Sequence, residues 1–272
     1  MRARVLTALA LMPLVLAAVF NTSPWSMGAL LAVVGVLGVG EIVRITGQIL
    51  VAAGAPFVVL AALVTGPSPH LETHWANPGW QAYTAFGGAF VFASAIVVLG
   101  LLKAGTTKSQ VHALLGSGWV IGPLLAAFAL HQAGNYDHPW HLPNPVLMAI
   151  LPLWAGDTAA IFVGKAFGKH LLAPGISPKK TVEGGVANLA ACLLAAWGLG
   201  AWISIPWPQS LACGLAAGIL GQAGDLFESW LKRRAGLKDS GAILPGHGGV
   251  LDRIDSILFT APAVAMILLY WR

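Results

Sequence analysis

Long apolar runs separated by short polar connections make up most of the chain. A helix that crosses a lipid bilayer needs about 20 mostly apolar residues, and many of the runs approach that length. The nine predicted spans are approximately 5–21, 26–43, 48–65, 81–102, 113–131, 144–164, 184–204, 208–228 and 253–271. Because the runs are continuous rather than alternating, they predict helices and not the strands of a membrane β-barrel. The pattern therefore predicts an all-α, polytopic integral membrane protein.

The composition narrows the class of protein further. Of the 272 residues, 57% are hydrophobic and 9% are charged. Soluble domains carry about 25% charged residues, so an ordinary soluble domain, a disordered chain and a fibrous repeat are excluded. Cys192 and Cys213 lie in apolar runs, which excludes a disulfide scaffold and a cysteine-based zinc site. The net charge of +5 comes from basic residues between apolar spans, so we expect contacts with anionic lipid and no nucleic-acid partner.

The basic residues also indicate how the spans are oriented. With nine spans, 14 of the 15 lysines and arginines fall on the side of the N-terminus, and Arg272 falls on the other. Since cytoplasmic loops are rich in Lys and Arg, this predicts a cytoplasmic N-terminus and cytoplasmic loops at 165–183 and 231–252. Arg2 and Arg4 before an apolar run are also typical of a signal peptide, but no clear cleavage site follows, so we expect a retained helix.

Acidic residues within or beside the apolar spans are concentrated in the C-terminal half. These residues are Asp157, Asp225, Glu228, Asp252 and Asp255. Ionisable groups in membrane helices are costly and are usually functional. The first 140 residues carry no comparable concentration. We therefore expect residues 1–140 to be a transmembrane scaffold that could also supply dimer contacts, and residues 141–272 to be the catalytic region.

One polar stripe is predicted where the eighth span ends. Asp225, Glu228, Ser229 and Lys232 follow the i, i+3, i+4, i+7 spacing of one helix face. In a soluble protein such a stripe would be a solvated face. Here it closes an apolar span, so we expect it to line a polar cavity.

A glycine-rich segment, 245–255, precedes the last span. It contains Gly246, His247, Gly248, Gly249, Asp252, Arg253 and Asp255. Glycines let the backbone approach a ligand closely, and a turn that leads into a helix presents N–H groups suited to phosphate. Helix capping alone explains one of the two carboxylates. Carboxylates that face phosphates indicate a hard cation, usually Mg²⁺, although the segment is not a Walker A motif.

The loop at 165–183 carries a third polar group. Lys179 and Lys180 are suited to phosphate, and Ser177 and Thr181 add hydrogen-bond donors. A basic loop that only faces lipid is the alternative interpretation. Together the three elements indicate metal-assisted phosphoryl or nucleotidyl transfer at the cytoplasmic membrane surface, where catalysis is mainly positioning and charge neutralisation.

The two C-terminal elements also resemble a known family, the phosphatidate cytidylyltransferases or CDP-diacylglycerol synthases. The similar stretch reads Ser229-Trp-Leu-Lys232-Arg233, then four residues, then Lys238-Asp239-Ser-Gly-Ala-Ile-Leu-Pro-Gly-His247-Gly-Gly-Val-Leu-Asp252-Arg253-Ile-Asp255. Two upstream segments, Gly156-Asp157-Thr-Ala-Ala and Ser177-Pro-Lys-Lys-Thr-Val-Glu-Gly184, are also similar to segments of this family. The resemblance covers roughly 150–260, and the size resembles the compact bacterial members.

The resemblance implies that CTP and phosphatidate give CDP-diacylglycerol and pyrophosphate. It also implies a homodimer in the bacterial inner membrane, Mg²⁺ and K⁺ as a second ion. The implied metal ligands are Asp225 and Asp252, with Asp157, Glu228 and Asp255 as candidates for additional ligands. The candidate catalytic residues are Asp225, Ser229, Lys232, Asp252 and Arg253. The candidate substrate-binding residues are Ser177, Lys179, Lys180, Thr181, Arg233, Lys238, His247, Gly248 and Gly249.

Other functions stay open at this point. A CTP-dependent polyprenol or phytol kinase would share a related membrane architecture, but its alcohol acceptor would need a general base. A CDP-alcohol phosphotransferase is disfavoured because its Asp-Gly-x2-Ala-Arg run is absent. A transporter of anionic lipids is a different class, and transporters usually have broken helices in two repeated halves.

Overall fold

The computed structural model describes residues 12–21, 23–46, 108–134, 142–244 and 248–271. Most of these residues are helical. The helices are α1 (12–20), α2 (Pro24–Thr46), α3 (Lys108–Gln132), α4 (Leu147–Phe167), α5 (Val182–Trp202), α6 (Trp207–Arg234) and α7 (Leu251–Tyr270). Within α6, a π-helical segment, Ala216–Gly221, separates the α-helical parts Trp207–Leu215 and Gln222–Arg234.

Five of the described helices are long and apolar enough to cross a membrane. They are Trp25–Ile45 within α2, and the whole of α4, α5, α6 and α7. The prediction of a helical protein with membrane-length apolar helices is confirmed for these five. The helix α3 coincides with the predicted span 113–131. The predicted spans 48–65 and 81–102 lie outside the described residues, so the count of nine stays a prediction.

A two-stranded antiparallel hairpin lies in the first polar loop, between α4 and α5. Its strands are β1 (Leu171–Ala173) and β2 (Ser177–Thr181). Leu171 pairs with Thr181, and Ala173 pairs with Ser177. The all-α prediction did not include this hairpin, because strands of three and five residues are too short for their periodicity to indicate a strand. The hairpin turns the chain back over the end of α4.

Small residues allow the helices around this hairpin to pack closely. A side-chain carbon on Gly214 would lie 2.9 Å from the Leu193 Cα, and one on Gly218 would lie 3.0 Å from the Leu189 Cα. Both glycines therefore bring α6 against the backbone of α5, as small residues commonly do between membrane helices. At the other end of α5, Gly184 makes the corresponding close approach to α4.

A buried apolar cluster connects the N-terminal helices to the C-terminal ones. Ile42 of α2, Trp119 of α3, Leu231 of α6, and Leu251 and Leu258 of α7 are all fully buried in it. The cluster lies beside the end of α6 and the start of α7, where the acidic residues are found. By contrast, many apolar side chains on the outer helix surfaces are exposed, as expected for helices surrounded by lipid. Examples are Val36, Phe162, Val186, Leu194 and Ile219.

Candidate active site

Asp252, in the first turn of α7, is the most highly coordinated carboxylate of the site. Its Oδ2 accepts hydrogen bonds from the Gly249 N–H at 2.8 Å, the Ser240 N–H at 3.0 Å and the Ser240 hydroxyl at 3.0 Å. Its Oδ1 contacts the ammonium group of Lys232. The loop before α7 therefore holds Asp252 in one orientation, with one oxygen directed at a cation.

Lys232 lies between two carboxylates. Its ammonium group forms ion pairs with Glu228, four residues earlier on α6, and with Asp252 on α7. Lys232 and Glu228 are both buried. Removing one partner of a buried ion pair leaves an uncompensated charge, so the two helices are joined here by a contact that is expensive to break. The structure thus places the predicted polar stripe of α6 against the start of α7.

Asp225 connects α6 to the hairpin. Its Oδ2 lies 2.6 Å from the Lys180 ammonium, and its Oδ1 accepts a hydrogen bond of 3.4 Å from the Ser229 hydroxyl. Both members of the ion pair are partly exposed. Adjacent residues of a strand face opposite sides, and Lys179 accordingly lies exposed while Lys180 turns to the helix. The structure brings Lys180, Asp225 and Ser229 together and leaves Lys179 outside this group.

Two more carboxylates lie near Asp225. Asp157 on α4 accepts a hydrogen bond of 3.2 Å from the side-chain amide of Asn188 on α5. Asp255 is buried on α7, one turn after Asp252. Asp157 and Asp255 both lie within electrostatic range of Asp225 and of Lys180. Carboxylates from α4, α6 and α7 therefore face one region, and lysines supply the compensating charge.

These acidic groups are not arranged as a metal cage made by the protein alone. Among the described residues, no three His, Cys, Asp or Glu side chains are close enough to share one ion. The donors are nevertheless hard carboxylate oxygens. Mg²⁺ is usually bound by one or two carboxylates together with waters and substrate phosphates, so the donor set fits an ion shared with a phosphate ligand.

The glycine-rich loop owes its composition to the groups packed around it. Gly248 has a φ of +82°, a backbone conformation that favours glycine. A side-chain carbon there would lie 2.5 Å from the Asp252 Oδ2. One on Gly249 would lie 2.1 Å from the Ser240 Oγ and 2.3 Å from the Glu41 Oε2. The predicted ligand His247 lies outside the described residues.

The remaining predicted residues have other surroundings. Arg233 donates to the backbone carbonyls of Ile176, at 3.4 Å, and Leu237, at 2.9 Å, so it fastens the hairpin turn to the loop after α6. Thr181 caps α5, because its hydroxyl accepts the Gly184 N–H at 3.2 Å. Both residues were predicted to bind substrate, and in the structure both side chains already have hydrogen-bond partners within the protein. Three further candidates, Ser177, Lys238 and Arg253, lie on β2, in the loop after α6 and at the start of α7.

A cavity of about 790 Å³ opens beside the charged groups. Its described lining is charged at one end and apolar elsewhere. The charged residues are Asp157, Asp225, Lys232, Asp239, Asp252, Arg253 and Asp255. The apolar residues include Leu30, Val34 and Leu37 of α2 and Ile257 of α7. The cavity thus places a polar end and an apolar wall within reach of one amphipathic ligand.

Three residues of this region are not among the predicted site residues. Glu41 of α2 is buried and accepts hydrogen bonds from the start of α7. Ser240 bonds to Asp252, and Asn188 bonds to Asp157. For Glu41 a signal was present, since it is a carboxylate at the end of an apolar span, where ionisable residues are costly. For Ser240 and Asn188 the sequence carries no comparable signal, because single neutral polar residues are common in loops and helices.

Comparison with known proteins places this geometry in context. The model of a family described as "Cytidylyltransferase family" matches residues 2–271. A relative from Synechocystis sp., named phosphatidate cytidylyltransferase, is 42% identical over 177 residues, which are 61% of this chain and 59% of the relative. Relatives of the same name from Bacillus subtilis and Staphylococcus aureus are 46% and 43% identical over 45% and 46% of this chain. These matches span 46% and 48% of the two relatives, so the chain spans about half the length of the curated relatives it matches.

Proposed function

The chain belongs to the cytidylyltransferase family, and from that premise we propose that it is a phosphatidate cytidylyltransferase. In this reaction CTP and phosphatidate give CDP-diacylglycerol and pyrophosphate. The name shared by the relatives supports the proposal. The other support is the arrangement of charged groups where the hairpin, α6 and α7 meet.

One observation carries the proposal: acidic and basic side chains alternate in space beside the cavity. Asp225 pairs with Lys180, and Asp252 pairs with Lys232. A site for two highly anionic substrates needs cations, and it also needs carboxylates if a metal ion is to share those phosphates. Nucleotidyl transfer depends mainly on such positioning and charge neutralisation. The pairs Lys180–Asp225 and Lys232–Asp252, where the hairpin, α6 and α7 meet, supply both kinds of group.

The proposed reaction needs no deprotonated side chain as nucleophile. A phosphate oxygen of phosphatidate forms a bond to the α-phosphorus of CTP, and the bond from that phosphorus to the bridging oxygen of the β-phosphate breaks. The electron pair leaves with pyrophosphate, so the charges balance without a proton transfer. The chain's task is to hold two anions in line and to neutralise the charge that develops on the leaving group.

Asp225 and Asp252 are the residues that would hold Mg²⁺, with K⁺ as the second ion suggested by the family resemblance. Asp157, Glu228 and Asp255 are less direct candidates, and Glu228 is already paired with Lys232. When bound, the metal would neutralise phosphate oxygens and polarise the phosphorus centre. Lys180 and Lys232 lie beside these carboxylates and would supply positive charge to the substrate phosphates, and Arg253 at the cavity would add a further positive charge.

The membrane context of the proposal follows from the apolar helices. Five membrane-length helices suit a lipid substrate that arrives from the bilayer. The apolar wall of the cavity would accommodate acyl chains while the charged end receives the phosphate. We propose nine spans, a bacterial inner-membrane location, a cytoplasmic active site and a homodimer; the basic loops support the orientation. Light scattering in detergent tests the proposed homodimer.

Positional labelling of CTP tests the function directly. Purified protein is incubated with phosphatidate, Mg²⁺ and CTP labelled at either the α- or the γ-phosphorus. Cytidylyl transfer puts the α-label into lipid and the γ-label into pyrophosphate. A lipid kinase would put the γ-label into a lipid alcohol, and a transporter would put neither label into lipid. The Asp225→Asn variant is the negative control. The proposal is refuted if the wild-type protein puts no more α-label into lipid than this variant does.

A further inference from the structure

Glu41 is a buried carboxylate that comes from a distant part of the chain, the helix α2, and lies beside the acidic group already described. It lies in the last turns of α2 and is 4% exposed. Its Oε1 accepts the Val250 N–H at 2.9 Å, and its Oε2 accepts the Leu251 N–H at 2.8 Å and the Ser240 hydroxyl at 2.8 Å. Among the ion pairs of the described residues, none involves Glu41. Burial of a carboxylate is costly, and three hydrogen bonds from loop and helix compensate it here.

Two of these bonds cap α7 from a distant part of the chain. The first N–H groups of a helix lack partners within the helix, and the positive end of the helix dipole favours an anion there. Val250, the residue before α7, makes no capping bond with its own side chain. Glu41 therefore supplies the cap that the local sequence lacks. The next residue of the helix is Asp252, so this cap sets the start of the element that carries the candidate catalytic carboxylate.

Ser240 connects the two carboxylates. Its hydroxyl lies 2.8 Å from the Glu41 Oε2 and 3.0 Å from the Asp252 Oδ2. A hydroxyl has one proton and donates it to one acceptor at a time. The Ser240 N–H donates to Asp252 independently, at 3.0 Å. Movement of Glu41 would thus be transmitted to Asp252 both through the helix start and through Ser240.

The surrounding glycines leave the space that the Glu41 carboxylate occupies. A side-chain carbon on Gly241 would lie 2.4 Å from the Glu41 Oε1, and one on Gly249 would lie 2.3 Å from its Oε2. Gly249 belongs to the glycine-rich segment whose composition suggests phosphate binding, and Gly241 lies shortly before that segment. In the structure, part of that composition serves to enclose the carboxylate of α2.

We infer that Glu41 is a positioning residue: it fixes Ser240 and the start of α7 so that Asp252 faces Lys232 and the cavity. This inference rests on the proposed function, because it assigns Asp252 to the reaction. It also assigns the N-terminal half a direct part in the site beyond that of a scaffold. Glu41 itself does not line the cavity, although its hydrogen-bond partner Val250 does. Among the described contacts it bonds to no other carboxylate.

The first test compares Glu41→Gln with Ile42→Val, a matched change at the neighbouring buried residue. Glutamine would present N–H groups where the carboxylate accepts them, so the cap mispairs. Misplacement of a reacting group by about 1 Å can cost about 10²-fold, and we expect a loss of that order in kcat with KM for CTP little changed. Ile42→Val is expected to change both constants less than about threefold, in keeping with its small loss of buried apolar volume.

A second readout does not depend on activity. Hydrogen exchange followed by mass spectrometry is measured on peptides covering 248–258 in detergent. Loss of the Glu41 acceptor should speed exchange there, because Val250 and Leu251 lose their partner, and should leave peptides from α5 unchanged. Unchanged exchange in 248–258 would overturn the positioning role, whatever the activity. If the Glu41 variant exchanges faster in 248–258 but the wild type makes no CDP-lipid, the proposed function is refuted. The positioning of the start of α7 by Glu41 is then retained.

A double-mutant cycle tests the route through Ser240. Ser240→Ala removes the hydroxyl that contacts Glu41. It keeps the two hydrogen bonds that Glu41 accepts from the N–H groups of Val250 and Leu251. If Glu41 acts partly through Ser240, the combined variant should lose less kcat than the product of the two single losses. Strictly multiplicative losses would show that the serine is no part of the route and would leave the helix cap as the sole connection.

Discussion

The ammonium group of Lys180 lies 2.6 Å from the Oδ2 of Asp225, and this contact joins the hairpin to α6. Both side chains are partly exposed, at 26% and 35%. An ion pair with that exposure is worth roughly 0–1 kcal/mol, so its value for stability is small. Its value for the site is positional, because it keeps a cation beside a carboxylate that is a candidate metal ligand.

Lys180→Ala should therefore lower turnover without unfolding the protein. Losing one preorganised charge that stabilises a transition state typically costs about 10²–10³ in kcat. The matched control is Lys179→Ala, an exposed lysine on the same strand that points away from Asp225. We expect the control to stay within a few-fold of wild type in the α-label assay. Similar losses for both variants would mean that the strand acts only as a basic surface.

Asp225→Asn and Asp252→Asn should each nearly abolish CDP-lipid formation. Both changes keep the shape of the side chain and remove the charge that a metal ion shared with phosphate requires. Glu183→Gln is the control, since Glu183 pairs with His170 at the exposed hairpin. Size-exclusion chromatography and thermal unfolding verify the fold. Turnover within a few-fold of wild type for either aspartate variant would remove the two-aspartate site from the mechanism.

The three consecutive basic residues of α6 should differ in their effects. Lys232→Ala should lower kcat by about 10²–10³, or about 2.7–4 kcal/mol. Arg234 lies over the Trp230 ring at 5.2 Å, and Arg234→Ala should cost little. Arg233→Ala should be intermediate, because it loosens the hairpin turn without removing a charge from the cavity. Turnover of the three variants is compared at matched expression. Equal modest losses would mean that the three basic residues act only as an electrostatic anchor.

Lys232→Ala also leaves Glu228 buried without its cation, which could unfold the protein. The double variant Glu228→Gln with Lys232→Met separates the two effects, since replacing both members of a buried pair is often nearly neutral for stability. We expect this variant to unfold near the wild-type temperature and to remain inactive. An active double variant would show that the positive charge of Lys232 is not required for the reaction.

The loop before α7 should not tolerate a side chain at position 249. Gly249→Ala would place a carbon against Ser240 and Glu41, and overpacking of this kind typically destabilises by about 1–3 kcal/mol. A side-chain carbon on Gly198 of α5 would have no atom within 4 Å, so Gly198→Ala should be neutral or stabilising. Thermal unfolding in detergent compares the two. Equal melting temperatures would mean that the loop relaxes freely.

Residues 231–252 should be cytoplasmic, and residues 66–80 should lie on the opposite side. Single cysteines at Lys238 and Ser68, in a background without Cys192 and Cys213, are labelled in intact cells with a membrane-impermeant maleimide. The excess of basic residues on one side predicts that Ser68→Cys is labelled and Lys238→Cys is protected. Labelling of the cysteine at 238 from outside would overturn the proposed orientation.

The sequence by itself determined the class of protein and predicted where along the chain its candidate site residues lie. Apolar runs indicated the helices α2, α4, α5, α6 and α7 because hydropathy is a property of consecutive residues and needs no knowledge of neighbours in space. The i, i+3, i+4, i+7 spacing likewise placed Asp225, Ser229 and Lys232 on one face of α6. Such helix periodicity is local, and it survives whatever packs against that face.

Only the tertiary structure decided which partner each charged group has. Lys180 meets Asp225 because the short hairpin between α4 and α5 brings this lysine to α6. Lys232 meets Asp252 because α6 packs on α7. Glu41 caps a helix that begins far along the chain, since Val250 is 209 positions away. Contacts of that separation depend on how the helices pack, and no local pattern in the chain encodes the partner. For the same physical reason the sequence did not indicate the partners of Arg233, which was predicted to bind substrate. In the structure Arg233 donates to a backbone carbonyl of the hairpin turn and to one of the loop after α6.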